Sequence, residues 1–414
     1  MERMDEIYSG AAFTIVDATG DNFNHGLSGV TPTRRLQPSL VDVTIDDVRF
    51  TYLRTPPGDK VGGSPWASRG WTYQEGFLSP RGILFTDDQV MFQCNNMQCF
   101  EAFEIPMDAL KKSTGKDGNI KLPLGDVKPI LKANQTLVDH MMAYSKRDLT
   151  NDADSLNAFL GILSHYSKEY VHFLGSPIHC SKKIMINSWY HPEPAQRRNQ
   201  FLSWSWAGWK GGVTATSLDN PDHEIRLLRK DGCRISLERY IESYNHYQTL
   251  SMEHFIEITG EMTKLSFTHI QWSSELGIKN AGLDAAKLRD GPWAVLPLTE
   301  DLRSYSFLYV DDASMAAERQ DELPAIVLEF GKESRDHNIV ILVLKEGSRY
   351  YRRVGLITLR HKFATTSDDA DGKRRPKQVV YRNKAGDWLP KAPISEPSEQ
   401  IWQQRTERKT VLVE

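Results

Sequence analysis

From Phe201 onward the chain is a succession of short apolar segments, each too brief for a stable helix and each separated from the next by polar or turn-forming residues. They are residues 201–209 (FLSWSWAGW), 235–237, 255–259, 293–298, 325–330, 339–344 and 354–359. Runs of this length rich in Val, Ile, Phe and Trp favour strands, because branched and aromatic side chains pack well on a pleated surface. Their wide spacing predicts a mostly antiparallel β region. The longest run, Ile339 to Leu344, is far short of the roughly 20 apolar residues that cross a bilayer. The first residues, MERMDEIYSG, are acidic from residue 2 and do not read as a secretory leader. An intracellular, cytoplasmic protein without membrane contact is expected, its four cysteines reduced.

The first half reads differently. Met1, Met4, Ile7 and Tyr8 fall at helical spacing, and residues 11–18 (AAFTIVDA) read as a buried strand. One helix and one strand cannot close a core, so this opening reads as the last part of an α/β layer. Residues 38–65 read as loop and short strand. Trp66 to Phe77 reads as one short helix stopped by Ser79-Pro80, and residues 82–94 as a hairpin turning at Asp87-Asp88. Two further helices are expected. One spans 128–146, with Leu131, Val138, Met141 and Tyr144 on one face; the other runs from Asp154 to Glu169 or Tyr170, capped by Asp152 or Asp154. From Arg360 the chain is net +4 with few apolar anchors and is read as a poorly ordered tail. The divisions are therefore 1–77, 78–200, 201–360 and 361–414. The fold class is an α/β remnant followed by a mixed helical and mostly antiparallel β region.

Composition narrows the function classes. A formal net charge of −3 with 25% charged residues is no electrostatic platform for nucleic acid, and the basic run 373–377 reads as a solvated charge run. Dinucleotide, phosphate-loop, nucleophile-elbow and zinc-protease signatures are all missing. Cys94 and Cys99 have four residues between them and no second pair, and His179-Cys180 with His191 lacks zinc spacing, so no metal is expected. Tryptophan is more informative. Five of ten lie in two stretches, residues 64–75 (SPWASRGWTYQE) and 203–209 (SWSWAGW). On an extended chain Trp204 and Trp206 share one side, giving an aromatic wall for packing or, less simply, for stacking a ligand.

These residues carry a resemblance spread along the chain. Met4-x-x-Ile7-Tyr8 with Ala12-x-Thr14-Ile15-Val16, the loop Gly20-Asp21 with Gly26-Leu27-x-Gly29-Val30, and above all Arg69-Gly70-Trp71-Thr72-Tyr73-Gln74-Glu75 resemble the fungal heterokaryon-incompatibility (HET) domain. Tyr144-Ser145-x-Arg147-x-Leu149-Thr150, Asp154-x-Leu156-x-Ala158-x-x-Gly161, Ser203-Trp204-Ser205-Trp206-Ala207 and Tyr351-x-Arg353-Val354-Gly355 resemble the region that follows it, so that the resemblance covers about residues 1 to 360. The family's opening Leu-Ser-Tyr-x-Trp-Gly and Trp-Ile-Asp-x-x-Cys-Ile-x-Gln segments do not occur. The chain is therefore expected to begin inside the domain, through a gene model started at an internal methionine or as a shortened protein.

The resemblance implies a role in allorecognition and programmed cell death on fusion of unlike hyphae. It also implies a flavodoxin-like sheet similar to Toll/interleukin-1 receptor (TIR) domains, some of which hydrolyse NAD with a glutamate. Two functions follow. In the first, the chain is a regulatory module without a cofactor, binding a protein partner such as another HET-domain protein. In the alternative it is an NAD glycohydrolase with Glu75 as the catalytic carboxylate, Arg69 as a phosphate or carboxylate partner and Trp71 as a stacking surface. Arg69, Trp71, Gln74, Trp204 and Trp206 are the binding candidates; all five, with Glu75, also suit a purely structural role.

Overall fold

The computed structural model describes residues 4–22, 24–30, 40–53, 57–94, 98–101, 136–215, 218, 221–245, 252–275, 288–312, 322–330, 338–360, 379–390 and 400–414. The chain is mixed α/β, with mostly antiparallel sheets and few helices, and divides into two units, Met1–Ser167 and Lys168–Glu414.

The first unit opens with α1 (Met4–Ser9) and β1 (Thr14–Asp17). β1 lies parallel to β4 (Arg81–Phe85) from Thr14↔Gly82 to Asp17↔Phe85; β5 (Val90–Cys94) and β6 (Gln98–Phe100) complete the sheet antiparallel, in the order β1-β4-β5-β6. The opening strand is thus at an edge and only half buried: Val16 is 2% exposed and packs with Leu84 and Met91, whereas Ile15 is 54% exposed. The stretch read as loop and short strand contains a hairpin, β2 (Leu40–Ile45) and β3 (Val48–Leu53). Its turn residues Asp46 and Asp47 have φ of 46° and 59°, the left-handed pair that suits the twist of a two-residue turn and that Asp tolerates.

Beyond the hairpin come α2 (Pro57–Gly62), α3 (Pro65–Ser68) and α4 (Trp71–Leu78). The last two replace the single helix expected over 66–77. α5 (Leu137–Tyr144) is started by a reciprocal Thr136–Asp139 capping box. It buries Met141 and Tyr144 of the expected face, with Leu137 and His140 beside them and Val138 only half-buried; residues 128–135, Leu131 among them, lie outside the described set. The second expected helix is broken into three-ten turns at Asp152–Ser155 and Asn157–Phe159 and a short α6 (Leu160–His165), and its cap is Asn151, whose side chain accepts from the Ala153 N–H. Tyr170 already begins a strand.

The second unit starts with seven short strands: β7 (Tyr170–Phe173), β8 (Ser176–His179), β9 (Ile184–Met185), β10 (Trp189–Tyr190), β11 (Gln196–Arg197), β12 (Trp209–Lys210) and β13 (Thr214–Ala215). A large sheet follows, formed by β14 (Glu224–Arg229), β15 (Arg234–Ser236), β16 (Met252–Ile270), β17 (Gly291–Thr299), β18 (Leu302–Phe307), β19 (Tyr309–Val310), β20 (Glu322–Phe330), β21 (Asn338–Glu346), β22 (Tyr351–Arg360), β23 (Val379–Asn383), β24 (Trp388–Leu389) and β25 (Glu407–Val413). The 19-residue β16 organises it. Its first half pairs with β14 and β25, its second half with β20 and β17.

Along β21 the side chains alternate between two cores. Val340, Leu342 and Leu344 enter one and Ile339, Ile341 and Val343 the other, which is why this strand reads as an unbroken apolar run. The segment after residue 360, read as a tail, supplies three strands. Val411 and Val413 of β25 enter the core while β25 pairs with β16 from Ile256↔Val413 to Met262↔Glu407, and Trp388 and Trp402 are buried. The basic run 373–377 lies outside the described residues.

Candidate functional site

The Arg69–Glu75 segment is shaped by a break. Ser64 caps α3 by accepting from the Ala67 N–H at 3.2 Å, and Arg69 leaves the helix in extended conformation (φ −82°, ψ 139°). Gly70 has no capping side chain. Its N–H instead donates to the Asp148 carbonyl at 2.7 Å, the Asp148 N–H donates to the Ser68 carbonyl at 2.7 Å, and Arg69 and Asp148 form a parallel bridge. A Cβ at Gly70 would lie 2.5 Å from a Leu149 methyl, so the close approach needs glycine.

Arg147 completes the clasp. Its Nη1 donates to the Arg69 carbonyl (3.2 Å) and the Thr72 hydroxyl (3.1 Å), and its guanidinium lies 4.6 Å from the Tyr73 ring centre. Burial lowers Arg147 to about 10, against the favourable pull of Tyr73 and Tyr144. Two segments more than 70 residues apart are thereby locked together, which gives both a strong structural role.

The candidate residues have different surroundings. Trp71, half-buried and the least buried of the ten tryptophans, donates its indole N–H to Asp154 at 3.3 Å. Gln74 is buried at 1%, and its Nε2 has no hydrogen-bond partner among the described residues. It packs at Gly161, where an added Cβ would fall 2.5 Å from the Gln74 Oε1, 2.8 Å from Leu78 Cδ1 and 3.2 Å from Asp5 Cβ. Gly161→Ala is therefore expected to destabilise the first unit by about 1–3 kcal/mol through overpacking. Urea denaturation checks this, and an unchanged midpoint would show that the contact relaxes freely.

Glu75 and Arg69 both act on Tyr8 of α1. Burial first, then the Glu75 carboxylate by charge and hydrogen bonding, push the Tyr8 hydroxyl up to about 12, with Arg69 pulling it down. Tyr8 was legible as part of the Ile7-Tyr8 motif but not as the neighbour of Glu75. A cavity of about 330 Å³ lies in the same unit, walled by Val61 and Trp66 and edged by Ser68, Lys146 and Arg147. Arg69, Trp71, Gln74 and Glu75 are not among its lining residues.

His140 carried no signal in a motif search, although it lies on the apolar face of α5. Its Nδ1 is 2.8 Å from the Tyr73 hydroxyl, Phe77 packs on it edge-on with ring centres 4.3 Å apart, and its Nε2 is buried without a partner among the described residues. Burial, aided by the nearby His165, lowers it to about 4.

Trp204 and Trp206 belong to the second unit. Their segment is not the expected extended run but a turn, a three-ten helix (Trp206–Gly208) and the short β12. Hydrogen bonds dictate this: the Ser205 hydroxyl donates to the Leu174 carbonyl (2.9 Å), and the indoles of Trp204, Trp206 and Trp209 donate to the carbonyls of His254, Gly175 and Ser203 at 2.9–3.0 Å. Trp204 stacks on Phe173 with ring planes 1° apart, and both indoles are at most 2% exposed, which leaves no open stacking face.

Among the described residues no group of three or more His, Cys, Asp or Glu could hold a metal, and no helix is long and apolar enough to cross a membrane. Residues 1–75 match the family model described as Heterokaryon incompatibility protein (HET), a match that ends at Glu75 and so contains the whole Arg69–Glu75 segment. No curated protein and no solved structure matches the chain.

Proposed function

We propose that this chain, a HET domain-containing protein, acts in fungal heterokaryon incompatibility as an interaction module that docks onto a second HET-domain protein through the apolar surface of its first 75 residues. One observation carries the reading. Of the nine exposed large hydrophobic side chains among the described residues, eight lie in the matched segment: Ile7, Phe13, Ile15, Val30, Val43, Ile45, Val48 and Phe50. Exposed apolar side chains gathered in one segment support an interaction site there. On the hairpin, Val43 opposes Phe50 and Ile45 opposes Val48, so that the four share one face. β1 adds an edge, since among the described residues no strand pairs with its side away from β4, and such an edge favours strand addition by a partner.

The test is binding of the purified chain to a purified full-length HET-domain protein, measured by titration. Ile15→Asp and Phe50→Asp are each expected to weaken it at least tenfold, the effect of removing about 1.5–3 kcal/mol of apolar burial. Because both side chains are exposed, the melting temperature should hardly move. Absence of binding by the wild type, or binding unchanged in both variants, would sink the reading. Incubation with NAD is expected to release no nicotinamide, since Glu75 sits against Tyr8 and does not line the cavity at Val61 and Trp66; release abolished by Glu75→Gln would instead make the chain an NAD glycohydrolase.

A further inference from the structure

One face of the large sheet in the second unit holds a cluster of positive charge that the proposed function does not use. On β18 and β23, Arg303 and Arg382 occupy directly opposing positions, and Arg303 also opposes Pro297 of β17. Arg405, at the end of the three-ten turn Gln403–Arg405, reaches the same place. The three arginines line one groove of about 390 Å³, with the buried Tyr305 and Trp388 at its floor and Ser266 and Thr268 of β16 on its border. That volume falls in the roughly 300–1,000 Å³ range of small-molecule sites.

Among the described residues no carboxylate lines the groove and none of the three arginines pairs with one. The nearby Lys384 shows the contrast: its charge is met by Asp301 at 2.9 Å. Of the groove's bordering side chains, Ser266 donates its hydroxyl to Glu322 at 3.4 Å. Like charges directly opposite on neighbouring strands are destabilising. A pair of arginines held in that register, with a third lining the same groove, concentrates positive charge that an anion would offset.

We propose that this groove binds a small polyphosphate, with Arg303, Arg382 and Arg405 as ligands to successive phosphate groups. Guanidinium forks match phosphate oxygens two at a time, so three of them from three separate elements suit a chain of phosphates better than one. The aromatic floor does not stack the ligand. Trp388 is covered by Arg382, whose guanidinium carbon is 5.0 Å from the ring centre and whose Nε donates to the Gly386 carbonyl at 3.2 Å, so the ring orients the arginine. Recognition is consequently of the phosphate chain itself.

Calorimetric titration of the full chain with inorganic tripolyphosphate, orthophosphate and a nucleoside triphosphate tests this. Tripolyphosphate and the nucleoside triphosphate should bind with similar affinity, both tighter than orthophosphate, and binding should weaken with salt. Arg303→Gln, Arg382→Gln and Arg405→Gln should each weaken tripolyphosphate about tenfold or more, as expected for loss of a charge-assisted contact; Lys384→Gln should not. A second readout separates a binding role from a structural one. Without ligand, Arg303→Gln relieves the like-charge pair and should melt no lower than the wild type, whereas a structural arginine would melt lower. No uptake of tripolyphosphate at millimolar concentration, or uptake indifferent to all three substitutions, overturns the proposal. A nucleoside triphosphate bound far more tightly than tripolyphosphate would also overturn it, by showing that the base is what is read.

Discussion

Asp311→Ala is expected to destabilise the second unit by about 3–5 kcal/mol, the cost of stranding a buried charge, which is a large share of the roughly 5–15 kcal/mol that holds a typical domain folded. The charge is that of Arg353, from the Tyr351-x-Arg353-Val354-Gly355 motif. Its side chain is 1% exposed and that of Asp311 0%, and its Nε donates to the Asp311 carboxylate at 2.6 Å. The remaining donors are engaged as well. Nη1 donates to the Asn187 carbonyl at 3.0 Å, Nη2 to the Trp189 carbonyl, and the guanidinium carbon stands 3.5 Å from the centre of the Trp189 ring. Burial lowers the Arg353 pKa and Asp311 opposes that effect, so removing the carboxylate leaves only the unfavourable part. Arg353→Met should cost at least as much, because it leaves the Asp311 charge and two carbonyls without their donor. The double substitution Asp311→Ala/Arg353→Met should cost less than the two single effects together by about 2 kcal/mol or more. Urea denaturation of the four proteins settles the point. Strict additivity, or a loss below about 1 kcal/mol for Asp311→Ala, would mean that the pair is not coupled.

That motif illustrates how much a sequence shows. Arg353 and Gly355 were visible as a pattern, but their reasons were not. A Cβ on Gly355 would meet the Tyr309 carbonyl oxygen at 2.1 Å, where β19 pairs with β22, and Arg353 needs an aspartate 42 residues earlier. The same holds for the Arg69–Glu75 segment. Its composition marked it out, whereas the break at Arg69-Gly70 depends on Asp148 and Arg147, which compete for its backbone groups from another part of the chain.

Strands were legible where burial on both faces leaves a continuous apolar run, as at residues 339–344. They were hidden where only a few positions are buried. β25 begins Glu-Arg-Lys-Thr, all exposed, and shows its core side only at Val411 and Val413. The β2–β3 hairpin was legible only as loop and short strand, although its turn, Asp46-Asp47, has the same dipeptide as the Asp87-Asp88 turn that marked the other hairpin. The period-two pattern of Ser203 to Trp206 misled for the opposite reason. The Ser205 hydroxyl and the Trp206 indole donate to the Leu174 and Gly175 carbonyls in the β7–β8 turn, and those bonds override the local preference for an extended chain.

The first unit is expected to lose about 2 kcal/mol of stability between pH 7.5 and pH 5 from His140 alone. Its ordinary value is 6.5 and its folded value about 4, lowered by burial first and by His165 second. Between those values the unfolded chain takes up a proton that the folded chain refuses, so acidification favours unfolding. The penalty starts as the pH falls through 6.5, grows by about 1.4 kcal/mol per pH unit, and levels off near pH 4, where the folded state also protonates. A second proton would lack a partner: Tyr73 meets one nitrogen, and Phe77 and Tyr166 pack against the ring. In the second unit His172 is likewise lowered to about 4 by burial, and His191 and His223 are lowered too, so both units should weaken in acid. Two measurements separate His140 from this background. Its ring resonances in NMR should not titrate above about pH 5. His140→Leu should start less stable at pH 7.5, having lost the bond to Tyr73, yet show a shallower decline toward pH 5. Parallel stability profiles for the variant and the wild type over that range would mean that the proton excluded from the fold is not the one on His140.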